Sequence, residues 1–507
     1  MLVIALLLLA ADRPFEPAVG TGQLPEGDRS PLVLPRPDPG IHTVTQIEGV
    51  IDESRLRAEL DRLAGRDETA ERVALELPAD AVIDLTRPLS IPTGVFLRGD
   101  GSQTLRAARS MPAMIQFEDA RWCGLIGVRV ESRGLTRRAA VWMTAADADP
   151  DKRTVGVHLF DCVFVDEVAP QRAGRTRVPR TDPSGRMVEV GPNSGFVFID
   201  GCRFEDCRTG VSLRSLNAAK VMVTACRFDR WRDFGVQVLR KTGEGSSPGD
   251  IRIANCRFGP PKPCDGVRKP IDFQSDAAAF AGDLPPVSGV QVRFNTLLGE
   301  PGTFHSRTAA NAATADMITL HRVSDADIVG NRLENGGEVG INVARGSRDV
   351  RVVGNEVTAT DGAGVNVGVP PKANETPPAA YLTRDVSVEG NTLRDVALNL
   401  GAASGEAGFP PWARSGVIVN FAHDVTVIGN RFLTTDRSRA FYPAAMKDAR
   451  QKAATGRELP QNAAIPAIPR TLMQAVRVRN VPGEASVRLN GNTFALPPWA
   501  REVVREP

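Results

Sequence analysis

The chain has almost no excess of either charge: 62 Lys and Arg stand against 60 Asp and Glu, a net +2 at pH 7. That balance excludes a global footprint for nucleic acid, so any preference for a charged partner has to be local. No CxxC pair exists among the seven cysteines, which removes the usual zinc spacing. A transmembrane segment is lacking too. The most apolar stretch, Met1 to Ala11, is too short to span a bilayer, ends in small residues before Asp12 and has no basic residue ahead of it. It has the character of the apolar part of a signal peptide and predicts a secreted or periplasmic protein.

What the chain has instead is one turn that keeps returning. It reads Asp161-Cys162-Val163-Phe164, Gly201-Cys202-Arg203-Phe204, Ala225-Cys226-Arg227-Phe228 and Asn255-Cys256-Arg257-Phe258. Later copies are Gly330-Asn331-Arg332-Leu333, Gly354-Asn355, Gly390-Asn391, Gly429-Asn430-Arg431-Phe432 and Gly491-Asn492-Thr493-Phe494. Each follows a short run of alternating β-branched residues, such as Asp349-Val350-Arg351-Val352-Val353, the pattern of a strand with one buried face. The closest copies lie about 24 residues apart, which predicts one coil of an all-β parallel solenoid. Each stacked coil adds about 4.8 Å, so every position becomes a column along the stack. Cys162, Cys202, Cys226 and Cys256 take the seat that later becomes Asn and read as a buried ladder of small side chains.

The repeat fills most of the chain, so one solenoid domain is expected. The composition divides it into the signal-like segment 1–11, an exposed leader 12–44, an N-terminal cap with the first strands over 45–115, the solenoid over 116–496 and a tail 497–507. Asp52 to Leu63 carries apolar residues at helical spacing and predicts a helix capping the first coil. Within 436–474, Ala445 to Ala453 has helix-forming composition.

Extra residues enter at two places only. They sit just before one strand of the coil (257–269, 296–315, 392–415 and 436–474) or just after it (241–249 and 370–384). Long loops on both sides of one sheet predict a binding groove over that sheet. Its outward columns run Trp142, Glu189, Ser212, Gln237, Asp272, Thr319, Asn342, Asn366, Ile418 and Arg477, and Thr144, Gly191, Arg214, Leu239, Gln274, His321, Ala344, Gly368, Asn420 and Arg479. Arg240, Arg322 and Arg345 stand at the strand's end, where stacked guanidiniums call for an acidic ligand or for neighbouring carboxylates. On the strand's other side Asp316, Glu338 and Asp361 precede successive coils, a spacing that suits calcium or a raised carboxylate pKa. Trp142 with Arg214, Gln237, Gln274, Arg240, Thr319, Asn342 and Asn366 offers the apolar face and hydrogen-bonding groups that a saccharide needs. His305 lies in the central insertion.

The returning turns, with the opening pattern LELPADAVIDLTRPLSIPTGVFLRGDG from Leu75 to Gly101, resemble the right-handed parallel β-helix proteins of the pectin lyase-like superfamily over roughly residues 70–496. The resemblance implies three strands per coil, an Asn-type ladder at one turn and ligand sites on one outer face. In the superfamily's lyases an Arg or Lys takes the proton α to a uronic carboxylate while calcium or another cation neutralises that carboxylate. By that analogy Arg322, Arg345 or His321 would be the base and Asp316, Glu338 and Asp361 the calcium ligands, with no organic cofactor. The paired-Asp and Gly-His-Gly signatures of polygalacturonases, the Asp-Pro-His-Asp of alginate epimerases and the Trp-x-Asp-His of pectate lyases are all missing, so none of those catalytic motifs carries over. Two rivals stand beside β-elimination of an acidic polysaccharide. One is inverting hydrolysis by Asp272 and Glu338, two coils or roughly 10 Å apart. The other is a non-catalytic glycan-binding or surface solenoid.

Overall fold

The computed structural model describes residues 38–65, 71–144, 153–166, 185–191, 193–214, 219–240, 249–262, 268–275, 286–299, 316–369, 381–397, 415–435, 474–479, 487–496 and 501–505. The signal-like segment, His305 and the helix-forming part of 436–474 lie outside them. No helix among the described residues is long and apolar enough to cross a membrane.

From Ile41 onward the strands stack into three parallel sheets of 15, 13 and 13 strands, here called A, B and C. Each coil visits them in that order: Val323–Val329 in A, Arg332–Glu334 in B, Ile341–Ala344 in C, then Arg348–Val353 in A again. This is a parallel β-helix, and parallel crossovers are right-handed in nearly all proteins. Alternation puts Val350 and Val352 into the core and leaves Arg351 facing out.

The ladder turn between A and B carries the fold. Gly330, Gly354, Gly390, Gly429 and Gly491 stand at φ 63°, 62°, 59°, 63° and 61°, the left-handed region that a Cβ disfavours. The following Asn points inward: Asn355 Nδ2 donates to Ile328 O of the preceding coil at 2.8 Å and to Asn391 Oδ1 of the next at 2.9 Å. Its backbone N–H donates to the same Oδ1 at 2.8 Å. The Cys ladder is present as expected, with Cys162, Cys202, Cys226 and Cys256 buried and free. Above it Phe164, Phe204, Phe228 and Phe258 stack at 5.1, 4.7 and 4.5 Å between ring centroids. Each such buried ring is worth about 1.5–3 kcal/mol.

Helix α1 (Glu53–Leu63) starts at the N-cap Asp52, whose side chain accepts from Arg55 N at 2.8 Å. It buries Leu56, Leu60 and Leu63 in the main core cluster. Two boundaries differ from the sequence expectation. Ile41–Gln46, begun inside the stretch assigned to a leader, is a strand paired with Arg72–Glu76, because the Pro- and Gly-rich composition ends at Gly40 and β-branched residues follow. Arg501–Arg505, assigned to a tail, pairs with Gln474–Arg479 as the last strand of sheet C.

Candidate functional site

The outer face of sheet C holds the polar column in the expected register. Trp142 pairs with Glu189, Glu189 with Ser212, Ser212 with Gln237, Gln237 with Asp272, Asp272 with Thr319, Thr319 with Asn342, and Asn342 with Asn366. The long connections fall where the strand order puts them, between B and C or between C and A. Most of this column is buried. Glu189, Ser212, Asp272 and Thr319 are 0% exposed, and Gln237, Asn342 and Asn366 are 8–9% exposed. Burial of polar side chains obliges them to bond one another.

At the centre sits Lys269. Its Nζ lies 3.2 Å from Asp272 Oδ1 and 3.7 Å from Asp316 Oδ2, so one buried ammonium serves carboxylates from adjacent coils. Asp316 Oδ2 also accepts from Thr319 Oγ1 at 3.1 Å and Asn342 Nδ2 at 2.8 Å, and Asn342 Oδ1 accepts from Asn366 Nδ2 at 2.9 Å. Burial alone would push the Lys269 pKa down, but Asp316 and Asp272, with Glu338 beyond, outweigh it and hold the ammonium above its ordinary value. Burial pushes the Asp272 carboxyl up to about 6 against the pull of Lys269. Its Oδ2 makes no hydrogen bond among the described residues.

His321 lies on the next coil in the neighbouring column, 9% exposed. Burial first, then the charges of Arg345 and Lys269, push its pKa well below the ordinary histidine value, so the imidazole is neutral at neutral pH. Arg322 and Arg345 follow the strands Ile318–His321 and Ile341–Ala344 directly, both at φ 54°, so each guanidinium hangs from a left-handed turn into sheet A. The structure therefore brings together Asp272, Asp316, Thr319, His321, Glu338, Asn342, Asn366 and Arg345. It leaves Trp142 and Arg214 several coils away, and the side chain of Arg240 lies outside the description.

The calcium set does not fit. The Asp316 carboxylate is already met by an ammonium and two hydrogen-bond donors, which a divalent cation would have to displace. Among the described residues no three His, Cys, Asp or Glu side chains gather closely enough to hold a metal ion. Asp361 is buried, and its backbone N–H is spent on Gly336 O at 2.9 Å.

A second polar cluster occupies the same face nearer the N-terminus. Glu189 meets Arg138 Nε at 2.7 Å, Arg186 Nη1 at 3.3 Å and Arg214 Nη1 at 3.8 Å. Arg138 lies over the Trp142 ring, 4.1 Å from its centroid. Burial, then the charge of Arg214, lowers the Arg186 pKa against the pull of Glu189.

No family model and no curated protein matches this sequence. Solved structures similar to it include tailspike protein 3 of bacteriophage CBA120, at 12% identity and a TM-score of 0.45 over 89% of this chain and 58% of that one. This chain thus spans 58% of the tailspike's length. PfbA, a surface adhesin of Streptococcus pneumoniae, aligns at 10% identity and 0.45 over 88% and 87% of the two chains. The family 28 exopolygalacturonase of Yersinia enterocolitica aligns at 10% and 0.42 over 77% and 75%. The three-sheet coil itself decides the architecture. The fold is a right-handed parallel β-helix.

In this β-helix the sequence pattern misses Lys269, Arg138 and Arg186 as site residues. Lys269 closes the interval counted as insertion 257–269, yet it is already paired with Phe234 in sheet C. A lysine three residues before an inward-flanked Asp is the only trace it leaves in the sequence. Arg186 begins its strand and Arg138 is the third residue of Thr136–Thr144, and later residues of both strands carry the column.

Proposed function

We propose that the protein is a secreted or periplasmic carbohydrate-active β-helix protein that cleaves an acidic, uronate-containing polysaccharide by β-elimination. The observation that carries this reading is a neutral imidazole, His321, flanked by the cations Lys269 and Arg345 on neighbouring coils. Export rests on the apolar Met1 to Ala11.

In the reaction His321 takes the proton on the carbon α to the uronic carboxylate. Arg345 faces that carboxylate and stabilises the charge that spreads onto it. The electron pair forms a carbon–carbon double bond and the glycosidic carbon–oxygen bond breaks. Asp272, held protonated by burial up to about pH 6, delivers a proton to the leaving oxygen. Lys269 positions Asp272 and Asp316, and no step passes through calcium. A base neutral at low pH and an acid that loses its proton near 6 place the optimum on the acidic side, with turnover falling as pH rises through about 6.

The test is ultraviolet absorbance of the unsaturated product with alginate, pectate and glycosaminoglycans, with and without calcium. His321→Ala should lower the rate by about 10²–10⁴-fold, with Arg345→Ala reducing it as well. Reducing ends without new absorbance would move the chemistry to inverting hydrolysis by Asp272 and Glu338. Neither signal on any glycan would leave the non-catalytic binding solenoid.

A further inference from the structure

The hydrogen bonds of the polar column on sheet C have a direction, and it is fixed from one end. Asn366 Nδ2 donates to Gly368 O at 2.9 Å, and because a carbonyl can only accept, the Asn366 amide has one possible orientation. Gly368 is itself held at φ 80°, where an added Cβ would strike Asn420 O, and its N–H donates to Val343 O at 2.7 Å. The anchor is therefore rigid. The same Asn366 Nδ2 donates to Asn342 Oδ1 at 2.9 Å, which turns the Asn342 nitrogen onto Asp316 Oδ2 at 2.8 Å. Thr319 Oγ1 donates to that oxygen at 3.1 Å, and Lys269 Nζ lies 3.7 Å from it.

Asp272 shares Lys269 with Asp316 but lacks this support. Its Oδ1 meets the ammonium at 3.2 Å, and its buried Oδ2 has no hydrogen-bond partner among the described residues. Donors gathered on one carboxylate favour its charged form, and a bare carboxyl oxygen away from water favours the protonated one. Two carboxylates on one ammonium have a negative charge in excess, so the pair takes up a proton, and the contrast in donors sends it to Asp272. Burial, with a smaller push from Asp316, holds the Asp272 carboxyl at about 6 against the pull of Lys269 and Gln274. The other charged or titratable groups here are Glu338, which acts on Lys269, and His321 with Arg345 on the following coils. From the preceding coil the uncharged Gln237 stands in register with Asp272.

We propose that Asn342, oriented by Asn366, is a positioning residue that assigns the proton shared by Asp272 and Asp316 to Asp272, and so makes Asp272 the acid. The inference rests on Asp272 donating a proton in the reaction proposed above, but its first readout is a titration and not turnover. The carboxyl stretch of Asp272 would be followed against pH by infrared difference spectroscopy, with Asp272→Asn protein as the blank. Asn342→Leu removes the donor and keeps the bulk. Asn366→Leu, three coils or about 14 Å from Asp272, takes away the anchor and lets the Asn342 amide turn over. The expected result is an Asp272 midpoint about one pH unit lower in Asn342→Leu, a tenfold weaker hold on the proton, and a smaller fall in Asn366→Leu. The alkaline limb of kcat should move down by the same amounts. Circular dichroism checks that each variant is folded, and if Asn342→Leu is not, Asn366→Leu decides alone.

An Asp272 midpoint that stays in place in the folded variants overturns the assignment, even if turnover drops, because Asn342 would then be structural only. A midpoint that moves in a protein whose wild type never yields unsaturated product keeps the assignment and removes the lyase chemistry. Reducing ends in place of that product keep it for hydrolysis, where Asp272 again has a proton to give. The two failures are therefore distinguishable.

Discussion

His158 sits as a base in an aromatic box. Its ring lies 5.0 Å from that of Phe160, 4.9 Å from Phe198 and 5.8 Å from Phe96, and neither ring nitrogen has a partner among the described residues. Burial, then the charge of Arg72, pushes its pKa down to about 3, with Asp38 pulling weakly the other way. A folded-state value below the unfolded one means that the unfolded chain takes the proton first. Stability is then whole above the ordinary histidine value near 6.5 and is lost as pH falls toward 3, on the order of 5 kcal/mol in total. His158→Phe should raise stability at neutral pH by about 1–3 kcal/mol, because no buried polar nitrogen remains unsatisfied. It should also flatten the acid limb, both read from denaturant midpoints between pH 3 and 7. A midpoint below wild type at neutral pH would mean that the imidazole is a required part of that box.

The ladder turn is the element on which sequence and structure agree most closely, because its spacing, its left-handed residue and its inward Asn are all local. Asn355 satisfies two coils at once, accepting from Asn331 N and Nδ2 at 2.9 Å and donating to Ile328 O and Asn391 Oδ1. Asn355→Ala should therefore cost about 2–4 kcal/mol in urea unfolding, with Asn355→Cys costing less. A cysteine sulfur still reaches the carbonyl of the preceding coil, as Cys226 does to Ile199 O at 3.5 Å. Equal losses for the two variants would show that only the side-chain volume counts. The polar column Gln237, Asp272, Thr319, Asn342, Asn366 was equally legible, since parallel register follows from strand alternation. Its burial was not, because alternation tells which face a residue takes and not what lies over that face. Lys269 and the Glu189 cluster were hidden for a related reason: each draws a partner from another coil, Asp316 for Lys269 and Arg138 for Glu189, across intervals between repeats that are irregular.

At the scale of the whole β-helix, each coil touches only its neighbours, so stability is a chain of nearest-neighbour terms. The end coil has the fewest. Thr493–Ala495 and Arg501–Arg505 are mostly exposed, whereas Ile341–Ala344 is buried at every residue. Hydrogen exchange followed by mass spectrometry should find the amides of 487–505 opening well before those of 341–353, in a graded series from the end inward. A single global exchange rate would contradict this. The Asn ladder also has a direction. Every Asn N–H from Asn295 to Asn430 donates forward to the amide oxygen of the coil after it, and Cys256 N does the same to Asn295 Oδ1 at 2.9 Å. A cysteine coil can thus be followed by an asparagine coil, but an asparagine coil followed by a cysteine coil would leave two donors facing a sulfur. The chain could lengthen by duplicating coils within either half, yet its two halves could never have been joined in the reverse order without a fault at the seam.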